Sequence, residues 1–141
     1  MKILLLAPHP FFQERGTPLD VLLVLRVLSA RPGTTVDVLT YHEGADVDLP
    51  NVRIHRIRAP KSATGIKPGF SAKKLFCDVL MFVAAWRMAR RERYDLVHAG
   101  EEAVFIAMFL KAVLRIPYAY DLDSSIAQQM VEQTPYLRPL A

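Results

Sequence analysis

Apolar and polar residues change rhythm several times along this 141-residue chain, and each change marks an element. KILLLA, from Lys2 to Ala7, is a nearly continuous apolar run that ends at Pro8. So short a run suits a strand covered on both faces, as in a parallel sheet. From Leu19 onward Val21, Leu22, Leu25 and Leu28 recur at helical spacing, and the RPG sequence stops that helix near Arg31. TTVDVLT, Thr34 to Thr40, alternates and is rich in β-branched residues, which predicts a second strand. VRIHRI, Val52 to Ile57, reads as an outer strand with one wetter face, its apolar set being Val52, Ile54 and Ile57. A linker from Arg58 to Phe70 follows, holding two prolines, two glycines and no acid.

SAKKLFCDVLMFVAAWRMARRERY then predicts one long helix with Ser71 as its N-cap. Arg87, Arg90, Arg91 and Arg93 fall towards its C-terminus, where cations suit the helix dipole. YDLVHA is a fourth short strand, EEAVFIAMFLKAVLR a helix apolar on most faces, and Ile116 to Asp123 a fifth strand. Asp123 or Ser124 is positioned to cap a last helix beginning near Ile126, after which the chain closes with two prolines. Alternation of strands and helices predicts an α/β fold: an open, mostly parallel sheet with helices on both faces.

Composition narrows the class. A chain that is 52% hydrophobic and 23% charged can bury a core and is no disordered tail, and its length suits one domain, residues 1–141. The formal net charge of +4 is a mild excess that does not point to nucleic acid. One cysteine, Cys77, excludes an intrachain disulfide and a cysteine metal cluster, and its apolar neighbours predict a buried thiol. The N-terminus lacks the longer apolar core and cleavage site of a signal peptide. Leu75 to Trp86 is the most apolar later stretch, but it contains Asp78 and falls short of the about 20 residues a membrane span needs. These features predict a cytoplasmic protein. Arg53, Arg56, Arg58, Lys61, Lys67, Lys73 and Lys74 form a basic region, 53–74, without an acid. Such a region leading into an amphipathic helix suits either peripheral binding to an anionic membrane surface or a plain solvated face.

In open parallel sheets ligands bind beyond the carboxyl ends of the strands. The first strand is followed by His9, Gln13, Arg15, Gly16 and Thr17; the fourth by His98, Gly100, Glu101 and Glu102; the fifth ends in Asp121, Asp123, Ser124 and Ser125. Gly16 either lets backbone N–H groups approach a phosphate, with Arg15 beside it, or permits a turn before a helix capped by Thr17 or Asp20. Neither a dinucleotide fingerprint nor a Walker lysine motif is present. His98 is a candidate general base or a histidine satisfied by the backbone. Glu101 and Glu102 are candidate substrate contacts or simply carboxylates that suit a helix start. Asp121 and Asp123 alternate, so they share a face and suit sugar hydroxyls or deprotonation of an acceptor alcohol, the plain reading of Asp123 being a cap. No cofactor and no metal set is predicted.

Taken in order, MKILLLAPHPFFQERGTP, TTVDVLTYHEG, NVRIHRI, YDLVHAGEEAVFIA and RIPYAYDLDSS resemble the N-terminal, acceptor-side domain of retaining glycosyltransferases with two Rossmann-like domains, family 4. The resemblance implies transfer of a sugar from a nucleotide-sugar donor to a lipid-linked, saccharide or small alcohol acceptor. It implies that Gly16 lines the diphosphate side and that His98, Glu101, Asp121 and Asp123 line the acceptor cleft, with His98, Asp121 and Asp123 as the catalytic candidates and Arg15, Thr17 and Glu102 as further substrate-binding candidates. Two departures stand out: only Gly16 represents the usual glycines of the first loop, and Asp123 occupies a place that is histidine in many relatives. The family's donor-binding domain has no counterpart in these residues, so the chain is expected to be inactive alone and to need that domain or a separate donor-binding subunit. The rival expectations are a partner subunit without chemistry and a non-catalytic α/β binding module. A receiver-like module needs an acidic cluster near the first strand, which LLLAPHP lacks. A flavodoxin-like one needs a phosphate loop denser in Ser, Thr and Gly than HPFFQERGTP.

Overall fold

A computed structural model describes residues 1–14, 16–66 and 71–122. Five strands, β1 (Lys2–Ala7), β2 (Thr35–Thr40), β3 (Val52–Arg56), β4 (Leu96–Gly100) and β5 (Tyr118–Asp121), alternate with three α-helices, α1 (Thr17–Ser29), α2 (Ala72–Arg91) and α3 (Val104–Leu114). The sheet order is β3-β2-β1-β4-β5, and every pair is parallel. β1 therefore lies at the centre of the sheet, which explains its unbroken apolar run. Ile3 and Leu5 pack with Val36, Val38 and α1 residues Val21, Leu22 and Leu25 on one face. Leu4 and Leu6 pack with Leu39, Val97 and residues of α2 and α3 on the other. This is the open parallel sheet with helices on both faces, a Rossmann-like α/β domain.

Helix ends show where sequence and structure differ in detail. Ser71 caps α2 as expected, its Oγ accepting the Lys74 N–H at 3.1 Å. α1 starts two residues before Leu19, with Gly16 as N-cap at φ 50° and no side-chain cap from Thr17 or Asp20. Glu101 and Glu102 form a 3-10 turn (Glu101–Ala103) ahead of α3 rather than its first α-helical turn. β3 is an outer strand, but its apolar set divides: Val52 and Ile54 pack on the α1 side, and Ile57 on the α2 side. Side chains alternate along a strand, so residues 54 and 57, an odd number apart, face opposite ways. Cys77 is buried, as its neighbours implied, and burial pushes its thiol up.

β2 and β3 are parallel neighbours joined without a helix, and the loop 41–51 that connects them is fixed by side chains. Arg56 donates through Nη1 to the carbonyls of Tyr41 (3.3 Å) and Glu43 (2.7 Å), and through Nη2 to that of Ala45 (2.9 Å) and to Asp46 Oδ1 (2.8 Å). Phe12 and Ala45 exchange backbone hydrogen bonds of 2.8 and 3.2 Å, which ties this loop to the one after β1. Gly44, at φ 115°, lies where a Cβ would stand 2.1 Å from the Phe11 carbonyl oxygen, so only glycine fits. Glu43 in turn accepts the N–H groups of Gly65 and Ile66, at 2.7 and 3.3 Å.

Most of the basic region is engaged within the fold. Arg56 holds the loop, Lys73 Nζ reaches the Thr64 carbonyl at 3.2 Å, and Lys74 turns inward. Arg53 Nε donates at 3.0 Å to Asp37, a carboxylate only 2% exposed on β2. The same carboxylate accepts the Tyr94 hydroxyl at 2.8 Å and meets His55 Nε2 at 3.2 Å. Burial alone would raise Asp37, but the Tyr94 and His55 hydrogen bonds and the Arg53 charge outweigh it and hold the carboxyl below its ordinary value. Its stabilising contribution is thus complete above the ordinary carboxylate range and is lost as pH falls through the depressed folded value. Lys67 lies outside the described residues. Among those described, no helix is long and apolar enough to cross a membrane.

Asp37→Asn keeps the shape but leaves the Arg53 guanidinium beside a neutral amide. It is expected to lower the unfolding free energy by about 2–3 kcal/mol, read as an earlier urea midpoint with an unchanged slope. An unchanged midpoint would show that the buried carboxylate is not a structural anchor.

Candidate functional site

β1 and β4 are adjacent, but their connections leave in opposite directions: α1 leads to β2 on one side of the sheet, α3 to β5 on the other. Where connections diverge, the strand ends part and leave a crevice at the carboxyl edge. Among the described residues, a hydrogen bond joins the chain after β1 to the chain after β4 there, Thr17 Oγ1 donating to Glu101 Oε1 at 3.2 Å. Thr17 is therefore engaged across the crevice instead of capping its own helix. Glu101 sits at φ 47°, a left-handed conformation uncommon for a non-glycine residue.

A cation from a third element completes the contact. Lys74, in the first turn of α2, lies 3.9 Å from Glu101 Oε2 and pairs with Glu102 Oε1. Its side chain is only 12% exposed, and burial lowers its pKa despite the opposing pull of Asp78 and Glu101. One helical turn further on, Asp78 accepts the Tyr41 hydroxyl. Burial raises both partners: Asp78 goes up although Tyr41 and Lys74 favour its charged form, and the Tyr41 phenol is pushed far above its usual range. The network thus runs from the end of β2 through α2 to the chains after β4 and β1.

His9 follows β1 at the same edge of the sheet. Its carbonyl accepts Thr40 Oγ1 at 2.7 Å, and its Nδ1 lies 3.3 Å from the Pro10 carbonyl. That contact fixes Nδ1 as the protonated nitrogen and leaves Nε2 with a bare lone pair. Nε2 is buried without a partner among the described residues. Burial lowers the His9 pKa from 6.5 to about 4, with the Lys74 charge adding to the effect and the Pro10 hydrogen bond opposing it.

The remaining sequence candidates divide into two groups. His98 and Asp121 do come together, Nε2 to Oδ2 at 3.6 Å. The β4–β5 register places them diagonally on one face, since Asp121 is opposite Gly100 and Ala119 opposite His98. His98 faces a carboxylate rather than a backbone carbonyl. No hydrogen bond or ion pair joins this pair to the Thr17–Glu101–Lys74 network among the described residues. Arg15, Asp123, Ser124 and Ser125 lie outside the described residues. Gly16 is in place: its carbonyl takes the Leu19 N–H at 2.9 Å, Pro18 has no N–H, and Asp20 occupies the first turn.

Tyr41, Lys74 and Asp78 were not among the sequence candidates. A signal for two of them was present, because Lys74 and Asp78 are spaced i, i+4 on the stripe that also carries Cys77, Met81 and Ala85. Charges on the buried stripe of a helix require partners. Tyr41 carries no such signal, since a tyrosine after a strand is ordinary core. Groups of three or more His, Cys, Asp or Glu side chains able to hold a metal are absent among the described residues. No protein-family model matches the chain, and no curated protein matches it.

Because His9 is held neutral, the unfolded chain binds one more proton between pH 6.5 and about 4. Stability is therefore full above that window and falls as pH drops through it, by on the order of 3 kcal/mol in all. Urea titrations across the window are expected to show this slope in the wild type and a flatter one in His9→Gln. Asp78, whose raised pKa acts with the opposite sign, is common to both chains and cancels in the difference. Equal slopes would mean that His9 is protonated in the folded state.

Proposed function

We propose that this chain is the acceptor-side half of a retaining glycosyltransferase, which moves a sugar from a nucleotide-sugar donor to a hydroxyl acceptor. The observation that carries the reading is the Thr17–Glu101 bond with Lys74 behind it, which gathers partly buried carboxylates at the switch point of a parallel sheet. Carboxylates so held are strong acceptors for ligand hydroxyls, and the tie to α1 fixes the crevice's two lips relative to each other. In the transfer, the bond between the anomeric carbon and the donor phosphate oxygen breaks, and a bond to the acceptor oxygen forms. The acceptor proton needs a base, and the nucleoside diphosphate departs. His98 with Asp121 is the base candidate, Asp121 facing Nε2 and leaving Nδ1 to accept. The first turn of α1, with its few free N–H groups, leaves the neutralisation of the diphosphate mainly to the donor-binding half.

Backbone NMR titration with neutral methyl glycosides tests the reading. Millimolar binding with shifts confined to Thr17, His98, Gly100, Glu101, Glu102 and Asp121 is expected. Shifts elsewhere, or none at saturating glycoside, would remove the reading in favour of a binding module for some other ligand.

The partner surface is a proposal of the same kind. Leu75, Phe76 and Val79 are exposed on α2, and Phe76 and Lys73 line a hollow of about 350 Å³ against the turn that holds Lys61. Apolar side chains beside lysines suit an anionic membrane surface. Sedimentation with vesicles containing phosphatidylserine is expected to carry the chain down, and Phe76→Ser to weaken this severalfold. Equal recovery with neutral vesicles would exclude the surface.

A further inference from the structure

We infer that the outer faces of α2 and α3 form one surface that seats on an anionic bilayer, with its apolar end beside the crevice. The inference deepens the membrane reading of the partner surface given above and rests on it; it does not need the sugar chemistry. Leu75, Val79 and Val83 recur at i, i+4 and i+8 along α2, and Phe105, Phe109 and Val113 do the same along α3. All six are 36–64% exposed. The outward face of a helix packed on a sheet is ordinarily polar, and apolar stripes on two neighbouring helices mark an interaction surface. Rings join the stripes across the seam between the helices: the Phe109 ring centroid lies 4.9 Å from that of Phe82 and 5.4 Å from that of Trp86.

Charge decides what covers this surface. The sequence contains no acid from Val79 to Arg91 or from Ala103 to Arg115. The one acid of α2, Asp78, accepts the Tyr41 hydroxyl. Arg87, Arg90 and Arg91 are exposed in the last turns of α2, and Lys111 and Arg115 at the end of α3. Arg90 lies over the Trp86 ring, 5.5 Å from its centroid, which pairs an aromatic body with a cation able to reach a headgroup. Apolar stripes that end in unbalanced cations match acyl chains and anionic headgroups together. A second copy of the chain would set these cations against their own kind. Orientation follows from the topology. The first turn of α2 meets Glu101 through Lys74, and α3 starts directly after the Glu101–Ala103 turn, so both helices begin at the crevice edge and run away from it. Leu75 and Phe105 are thus close to that edge and the arginines far from it.

Trp86 is the single tryptophan of the chain and reports directly on the seam. The 141-residue chain is mixed at physiological salt with phosphatidylcholine–phosphatidylserine vesicles whose acyl chains carry bromine. Trp86 emission is expected to shift to the blue and to be quenched at least about twofold, as for a side chain at the acyl boundary. Phe105→Ser, at an exposed position, is expected to weaken sedimentation with these vesicles severalfold. With Trp86→Phe as background, Phe105→Trp is expected to be quenched more strongly than Val113→Trp, two turns further from the crevice. Sedimentation with unquenched Trp86 would overturn the inference and leave the surface around Phe76 as the membrane contact. Quenching of Val113→Trp equal to or above that of Phe105→Trp would overturn it as well. No sedimentation with anionic vesicles would remove the inference and the membrane reading together, and would assign the face to a protein partner.

Discussion

A strand at the centre of a parallel sheet must be paired along both edges and covered on both faces, and β1 meets all four demands. Both of its edges are taken, by β2 and β4, so the chain has to travel outward in each direction from the same place. Outward travel in two directions is what parts the strand ends, and the parted ends are what make a crevice. The apolar sequence of Lys2–Ala7 and the position of the candidate site are thus consequences of one packing requirement. Pro8 ends the strand, and the segment after it carries Phe11 into the core.

Within that frame a single buried ammonium organises the polar edge. Lys74 reaches the chain after β4, while Asp78 one turn later receives Tyr41 from the end of β2. An uncompensated charge at either position would be costly in so enclosed a place, and the two carboxylates of the 3-10 turn supply the compensation. The left-handed Glu101 belongs to this arrangement: its backbone takes an uncommon conformation, and its side chain bonds both Thr17 and Lys74. The geometry of this edge is therefore set in part by a helix that contributes no strand end of its own.

The layered architecture was legible because it depends on periodicity. The run of β1, the alternation of β2 and the Ser71 cap each report a local environment. Thr17 and Glu101 were also legible as neighbours of a sheet edge, because chain order alone puts the ends of β1 and β4 on that side. Their direct bond was not legible, since it depends on a backbone turn at Glu101 that no pattern encodes. Lys74 was misfiled among the surface cations because net charge along a stretch says nothing about direction: Arg53, Arg56 and Lys74 share a basic region and point to three different partners. The division of Val52, Ile54 and Ile57 between two faces shows the related limit, that a list of apolar residues becomes a face only after its parity is checked.

Arg56 binds carbonyls of the 41–51 loop from the last position of the outermost strand. On a parallel sheet such a strand keeps one row of backbone groups available to any other extended chain, the usual starting point for intermolecular strand addition. β3 is only five residues long, carries Arg53 and Arg56, and ends in a guanidinium committed to its own loop. A second copy approaching this border in extended form would meet Arg53 and Arg56 facing their own kind over a short ladder. The side chain that shapes the 41–51 loop thereby also sets a committed cation at the border of the sheet.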